Sequence, residues 1–129
     1  MERIDLLEEK LRAVIDIPVL YNRRPDSFPC FVISFYGMES GLVGDGKAAE
    51  VTEGCMLEFW YKSDFLKNKQ IARKIRDVIG ESYAEPEVSH DSDPSVNAYR
   101  TFFRFRYILD DEGGSNEERQ KCKVEQNQH

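Results

Sequence analysis

The feature that most constrains this sequence is a strict two-residue alternation over residues 98–109. One set of alternate residues is mostly aromatic, and the other carries three arginines. The first set is Tyr99, Thr101, Phe103, Phe105 and Tyr107, and the second is Arg100, Phe102, Arg104 and Arg106. Successive side chains of a β-strand point to opposite faces of a sheet. The alternation therefore predicts a full-length strand with one apolar face and one basic face.

Further segments also carry strand patterns. Residues 31–36 form a β-rich run with two largely apolar faces, which predicts a central strand. Residues 51–62 alternate again, with Cys55, Leu57, Phe59 and Tyr61 on one face. Residues 19–21 predict a short edge strand, and the acidic stretch 81–97 has room for a short strand near Val88. The connection 37–50 is polar and rich in glycine, which indicates a long hairpin loop between two adjacent strands.

Two segments carry the helical period instead. The first is ended by Pro18, since proline disfavours helix in the residue before it; its apolar face is Ile4, Leu7, Leu11 and Val14. The second spans about residues 65–79, with Ser63 or Asp64 as its N-cap and Gly80 as its C-cap. Its apolar stripe is Ile71, Ala72, Ile75, Val78 and Ile79.

These elements predict an α+β fold with a mostly antiparallel sheet of about four strands. Two helices pack on one face of the sheet, and a long hairpin loop projects from it. Residues 1–109 form a single domain, followed by a polar C-terminal tail at 110–129 that is predicted to be flexible. The predicted core is Leu7, Leu11, Ile33, Phe35, Leu57, Phe59, Ile71, Ile75, Phe103, Phe105 and Tyr107.

Composition excludes several classes of function. The 129 residues carry a formal net charge of −6, which argues against a globally basic nucleic-acid binder. The longest apolar run is far short of a membrane span, and residues 1–15 carry too many acids for a secretory signal. Three cysteines form no C-x-x-C pair, so Cys30 and Cys55 are predicted to be buried thiols rather than zinc ligands. With only His90 and His129 available as imidazoles, we expect no enzyme, no metal and no cofactor.

Arg100, Arg104 and Arg106 on the last strand form the first candidate interaction surface. With Phe102 they resemble a platform for single-stranded nucleic acid, where bases stack and arginines hold phosphate. The same residues also fit a solvated face paired with acidic neighbours such as Glu58. A third interpretation is a subunit interface, where arginine and aromatic residues are enriched.

Two further candidate surfaces lie outside the last strand. The second helix carries Lys69, Arg73 and Arg76, which fit either an ordinary solvated face or contact with an acidic partner surface. The glycine-rich loop has no following helix to aim amides at a phosphate, so it is a weak nucleotide motif. Its interpretation as a partner-docking loop singles out Leu42, Val43, Asp45 and Lys47. Asp91-x-Asp93 lacks the glycine and the glutamate of a calcium loop.

The order of elements, with three sequence segments, resembles the tail-terminator or tail-completion proteins of long-tailed bacteriophages and prophages. The segments are Gly44-Asp45-Gly46-Lys47, Cys55-Met56-Leu57-Glu58-Phe59-Trp60-Tyr61-Lys62-Ser63-Asp64 with Ala72-Arg73-Lys74-Ile75 after it, and Tyr99-Arg100-Thr101-Phe102-Phe103-Arg104-Phe105. The resemblance covers roughly residues 1–109 and is one of layout. The charged tail 110–129 departs from it.

The resemblance implies a structural role in virion assembly rather than an enzymatic one. Such proteins form rings, typically hexameric, that cap the tail tube and join it to the head-side connector. The expected partners are therefore further copies of this chain, the tail-tube protein and the neck protein. DNA would pass through the ring without specific binding, and no membrane is involved. The expected location is the host cytoplasm during assembly and then the neck or tail of the virion. A head-completion adaptor and a small nucleic-acid-binding or regulatory module remain the alternatives.

Overall fold

The computed structural model describes residues 3–40 and 51–109, which build a single five-stranded sheet with two helices on one face. A short 3-10 turn, Ile4–Leu6, leads into α1, and the last strand ends just before Leu109. The elements in chain order are α1 (Leu7–Val14), β1 (Val19–Tyr21), β2 (Cys30–Ser40), β3 (Val51–Tyr61), α2 (Phe65–Ser82), β4 (Glu87–Asp93) and β5 (Ala98–Ile108). The predicted α+β class is confirmed.

The sheet order is β1-β2-β3-β5-β4, and only the β1–β2 pair is parallel. β2, β3, β5 and β4 pair antiparallel in turn, so β3 occupies the centre. The count of about four strands was one too low, because the short segment around Val88 forms a complete edge strand. β2 has a partner on each side, as expected of a strand with two apolar faces, but it lies next to the centre rather than in it.

The core lies between the helices and one face of the sheet. Alternate residues of the three long strands meet the apolar stripes of both helices there. Its buried members include Leu7, Leu11, Phe31, Ile33, Cys55, Leu57, Phe59, Tyr61, Ile75, Ile79, Phe103, Phe105 and Tyr107. Burying such side chains stabilises the fold by roughly 1.5–3 kcal/mol each relative to leaving them in water.

Several local predictions were wrong for identifiable reasons. Phe35 is 36% exposed although Cys55 and Phe105 at the same level of the sheet are buried. The reason is that β1 pairs only with residues 31–33 of β2, which leaves Phe35 without a neighbouring strand on that side. Gly80 lies inside α2, which runs on to Ser82, and the Glu85 carboxylate sits beside it. Asp64 precedes α2 in the left-handed region with no side-chain cap. The Asn68 amide bonds to the Ser63 carbonyl instead, at 2.6 Å.

The predicted 37–50 loop is shorter than expected, since residues 37–40 belong to β2. A β-bulge between Tyr36 and Met38 shifts the register there, and Gly37 takes the positive φ of +54° that the bulge requires. The predicted projecting segment, residues 42–50, and the predicted tail, residues 110–129, lie outside the described residues. The proposed division between residues 109 and 110 therefore stays a prediction. Within the described chain, neither helix is long and apolar enough to span a membrane.

We predict that Phe103→Ala lowers the free energy of unfolding by about 3–5 kcal/mol, because it empties a fully buried site. Met38→Ala is the matched control, since Met38 is 66% exposed, and we expect its effect to stay within about 0.5 kcal/mol. Urea unfolding followed by circular dichroism measures both. Equal effects of the two substitutions would contradict the assigned core.

The buried cysteines generate a second prediction. Burial raises the pKa of Cys55 to about 12 and that of Cys30 to about 11. Both thiols therefore stay protonated and shielded at pH 8, and we expect iodoacetamide to leave them unmodified in the folded protein. The same reagent should label both in urea, as read by peptide mass mapping. Rapid labelling without denaturant would contradict their placement.

Candidate interaction surfaces

The face of the sheet opposite the helices, called the open face here, carries the predicted arginine set. Alternate residues of β5 point to it and lie beside alternate residues of β3. Its central members are Arg100, Phe102, Arg104 and Arg106 of β5 and Met56, Glu58 and Trp60 of β3. Phe28 packs edge-on against Trp60, with 6.0 Å between the ring centroids, and so covers one end of this face. The structure thus brings all three predicted arginines onto one surface.

Arg100 is the most enclosed of the three arginines. Its guanidinium donates two hydrogen bonds to Asp91, at 2.9 and 2.7 Å, in a bidentate pair. It also lies 4.8 Å from the Trp60 ring and 4.1 Å from the Phe102 ring. Glu58 stands 3.9 Å from the same guanidinium and accepts a 2.7 Å bond from the Trp60 indole. Asp91 raises the pKa of Arg100 above its usual value, as expected for a hydrogen-bonded ion pair.

Arg104 and Arg106 also meet carboxylates. Arg104 lies 4.0 Å from Glu87 of the neighbouring strand, and both side chains are largely exposed. Arg106 lies 3.8 Å from Glu39 and bonds to the Thr52 hydroxyl and the Gly37 carbonyl. Each arginine of the open face therefore has an acidic neighbour. This arrangement favours the paired-face interpretation over the phosphate platform, because the positive charge is already balanced.

The cations of α2 occupy a different surface, on the helix side of the sheet. Lys69, Arg73 and Arg76 line one wall of a groove of about 440 Å³ between α2 and β4. Its other lining residues are Ala72, Glu85, Pro86, Val88 and His90. The helix cations and the strand arginines therefore lie on opposite sides of the sheet and cannot act as one basic patch.

Exposed apolar residues, which sequence patterns did not single out as a surface, lie at the two ends of the long strands. At the end near the hairpin connection, Phe35 is 36% and Met38 66% exposed. At the other end, Leu66 is 75% exposed beside the Phe65 and Tyr99 rings, whose centroids are 5.3 Å apart. Leu66 lies outside the apolar stripe of α2, and this position was the signal in the sequence that could have indicated its exposure. The exposure of Phe35 gave no signal in the sequence, because its position fits the two-residue period of the buried face.

His90 and Asp93, which the sequence also raised as candidates, have structural partners. The His90 imidazole lies 3.0 Å from the Thr101 hydroxyl. Asp93 accepts hydrogen bonds from the backbone and hydroxyl of Ser95, which lower its pKa. No group of three metal-ligating side chains occurs within residues 3–40 and 51–109. Leu42, Val43, Asp45 and Lys47 lie outside the described residues.

Comparison with known proteins finds a likeness in fold. No model of a known family matches this chain, and neither does any curated protein. Among solved structures, it resembles a chain in the virion of a native gene transfer agent (GTA) particle. The TM-score is 0.50 and the identity 14%, and the match covers 76% of this chain and 82% of that chain. The two chains therefore share an arrangement of elements rather than a set of side chains.

The open face generates a prediction about its ion pairs. Arg100→Ala should lower the free energy of unfolding by roughly 1–3 kcal/mol, because it leaves two carboxylates without their partner and uncovers two rings. Arg104→Ala is the matched control on the same strand and face. Its side chain is half exposed, so we expect a loss below about 1 kcal/mol. Urea unfolding compares them, and an equal or larger loss for Arg104 would overturn the assignment.

Proposed function

We propose that this chain is a structural subunit of a phage-like virion, and more specifically a tail-terminator or head–tail joining subunit. The observation that carries the proposal is the fold shared with a chain of a native GTA particle virion over 76% of this chain. In the proposed role, subunits assemble into a ring that caps the tail tube and connects it to the head-side neck. Assembly takes place in the host cytoplasm, and the ring stays in the finished particle. The role is structural and requires no catalytic residue or cofactor.

The positions of the exposed apolar residues support a head-to-tail contact. Met38 stands opposite Glu53 of β3, and Tyr99 stands opposite Tyr61 of the same strand. Eight residues of strand separate these levels, about 26 Å at ~3.3 Å per residue. A surface at one end that meets a different surface at the other end of the next copy is heterologous, and such contacts close into rings when the rotation permits.

The balanced charges of the open face support passage of DNA without specific binding. A binding site for phosphate gains its affinity from cations that displace counterions. Here Arg100 and Arg106 are held by Asp91 and Glu39 on their own sheet. Phosphate contact would therefore have to break existing ion pairs, which lowers the net gain.

The test is to measure mass by light scattering with and without the tail-tube and neck proteins of the same particle. We expect complexes larger than the monomer whose formation changes little with salt, because apolar contacts dominate the ends. The proposal would be overturned if this chain bound neither the tail-tube protein nor the neck protein. Salt-sensitive binding of DNA or RNA would favour the nucleic-acid module instead.

Leu66→Asp sharpens this test. It places a charge in the exposed apolar end, where burial against a partner would be costly, and should reduce complex formation at least about tenfold. The new carboxylate lies in the first turn of α2, where the helix dipole favours it, so folding should be retained. Gln70→Asp adds the same charge one turn along the exposed helix surface and should leave assembly unchanged. Equal assembly by both variants would exclude Leu66 from the contact.

A further inference from the structure

One wall of the groove between α2 and β4 is a row of three cations. Lys69, Arg73 and Arg76 follow one another at steps of four and three residues, which places them on one side of the helix. No carboxylate of the described residues lies within ion-pair distance of Lys69 or Arg73. Arg76 meets its chain neighbour Asp77, at 3.3 Å on an exposed surface. Exposed ion pairs of that kind contribute little, so the charge of this wall is available to a ligand.

Glu85 is the carboxylate in the lining of the groove, and it lies at one end. Its side chain is beside Gly80, which is four residues beyond Arg76 and about 6 Å further along the helix axis. It forms no ion pair with the three cations. Three cations against one carboxylate leave the lining with a formal charge of +2. The groove therefore consists of a cationic stretch that is followed by an acidic end.

β4 supplies the opposite wall and a backbone edge. Its inner side pairs with β5, and its outer side has no strand partner among the described residues. Opposite residues of an antiparallel pair share a face, so Val88, opposite the buried Phe103, points to the helix side, and so does His90. Glu87 and Asp91 alternate with them and point to the open face. The strand residues that face the groove therefore carry no carboxylate.

The spacing of the cations matches that of side chains on an extended peptide. The rise along the helix is about 6 Å from Lys69 to Arg73 and about 4.5 Å from Arg73 to Arg76. Side chains on one face of a strand recur every two residues, or about 6.6 Å. Three acidic side chains at alternate positions of an extended segment can therefore each reach one cation.

The floor and the edge favour a peptide over a nucleic acid. Ala72 and Pro86 are buried and Val88 is half-buried, and the lining contains no Phe, Tyr or Trp on which a base could stack. The outer edge of β4 presents backbone N–H and C=O groups, which an extended peptide can pair. Glu85 and Glu87 beside the groove would repel a phosphate chain that ran past its ends.

We propose that the groove between α2 and β4 binds an extended acidic segment of another protein. The backbone of the segment lies along the outer edge of β4, and acidic side chains at alternate positions meet Lys69, Arg73 and Arg76. The end of the segment beside Glu85 carries a neutral or basic residue. The inference goes beyond the proposed function, because it assigns a binding site to the single subunit whether or not subunits form a ring.

Fluorescence anisotropy of a labelled peptide, Glu-Ser-Glu-Ser-Glu, tests the proposal on the full chain. Lys69→Glu with Arg73→Glu reverses two charges of the wall and should weaken binding at least about tenfold. Lys67→Glu with Lys74→Glu is the matched control, since both lysines are exposed on α2 outside the groove lining. We expect it to change binding less than about twofold at roughly 0.15 M salt, which screens charges that do not contact the peptide.

Two further variants separate the groove from the overall charge of the helix. Lys69→Gln with Arg73→Gln introduces no new charge into α2 and should still weaken binding, whereas Glu85→Gln removes the repulsion at the acidic end and should tighten it. Circular dichroism checks that each variant is folded. The proposal would be overturned if the unchanged protein did not bind the peptide, or if the groove and control pairs lost binding equally. Tighter binding of a seven-nucleotide single-stranded DNA at the same residues would also overturn it.

Discussion

Packing of aromatic side chains on the inner face of the sheet, against one another and against the apolar faces of the two helices, is the interaction on which the rest of the structure depends. Phe31 meets Phe59 with 5.3 Å between ring centroids, and Tyr83 stacks on Phe105 at 5.6 Å. The Tyr83 hydroxyl donates to the Arg3 carbonyl at 3.0 Å, which ties the end of α2 to the start of the chain. Because rings of this size dominate core energetics, their positions fix both the register of the sheet and the side on which the helices lie.

One consequence of that packing is the chemistry of the open face. Burying the odd residues of β5 places Arg100, Arg104 and Arg106 on the other side together, whatever their function. Asp91 and Glu87 of the neighbouring strand β4 and Glu39 of β2 then supply the carboxylates that balance them. The three arginines that the alternation groups on one face are thus each matched by a carboxylate of the same sheet.

Much of the fold could be predicted because it depends on periodicity, which is local. The alternation in 98–109 and 51–62 correctly assigned the faces of β5 and β3, and the stripe from Leu7 to Val14 located α1. The boundaries were less predictable. Gly80 has the residue type of a C-cap, yet packing of Ile79 and Ser82 carries α2 past it. Phe35 has the period of a core residue, but its exposure depends on where the neighbouring strand β1 ends.

The sequence by itself determined the α+β class, the two faces of each long strand and the identity of most core residues, because side-chain direction follows from the strand and helix periods. Only the tertiary structure decided which charges meet. It paired Arg100 with Asp91 and separated Arg73 from all three strand arginines by placing them across the sheet. It also exposed Met38 and Leu66 at opposite ends and left the outer side of β4 without a strand partner among residues 3–40 and 51–109. The physical reason is that strand order and helix placement are set by contacts between distant segments, which no local period encodes.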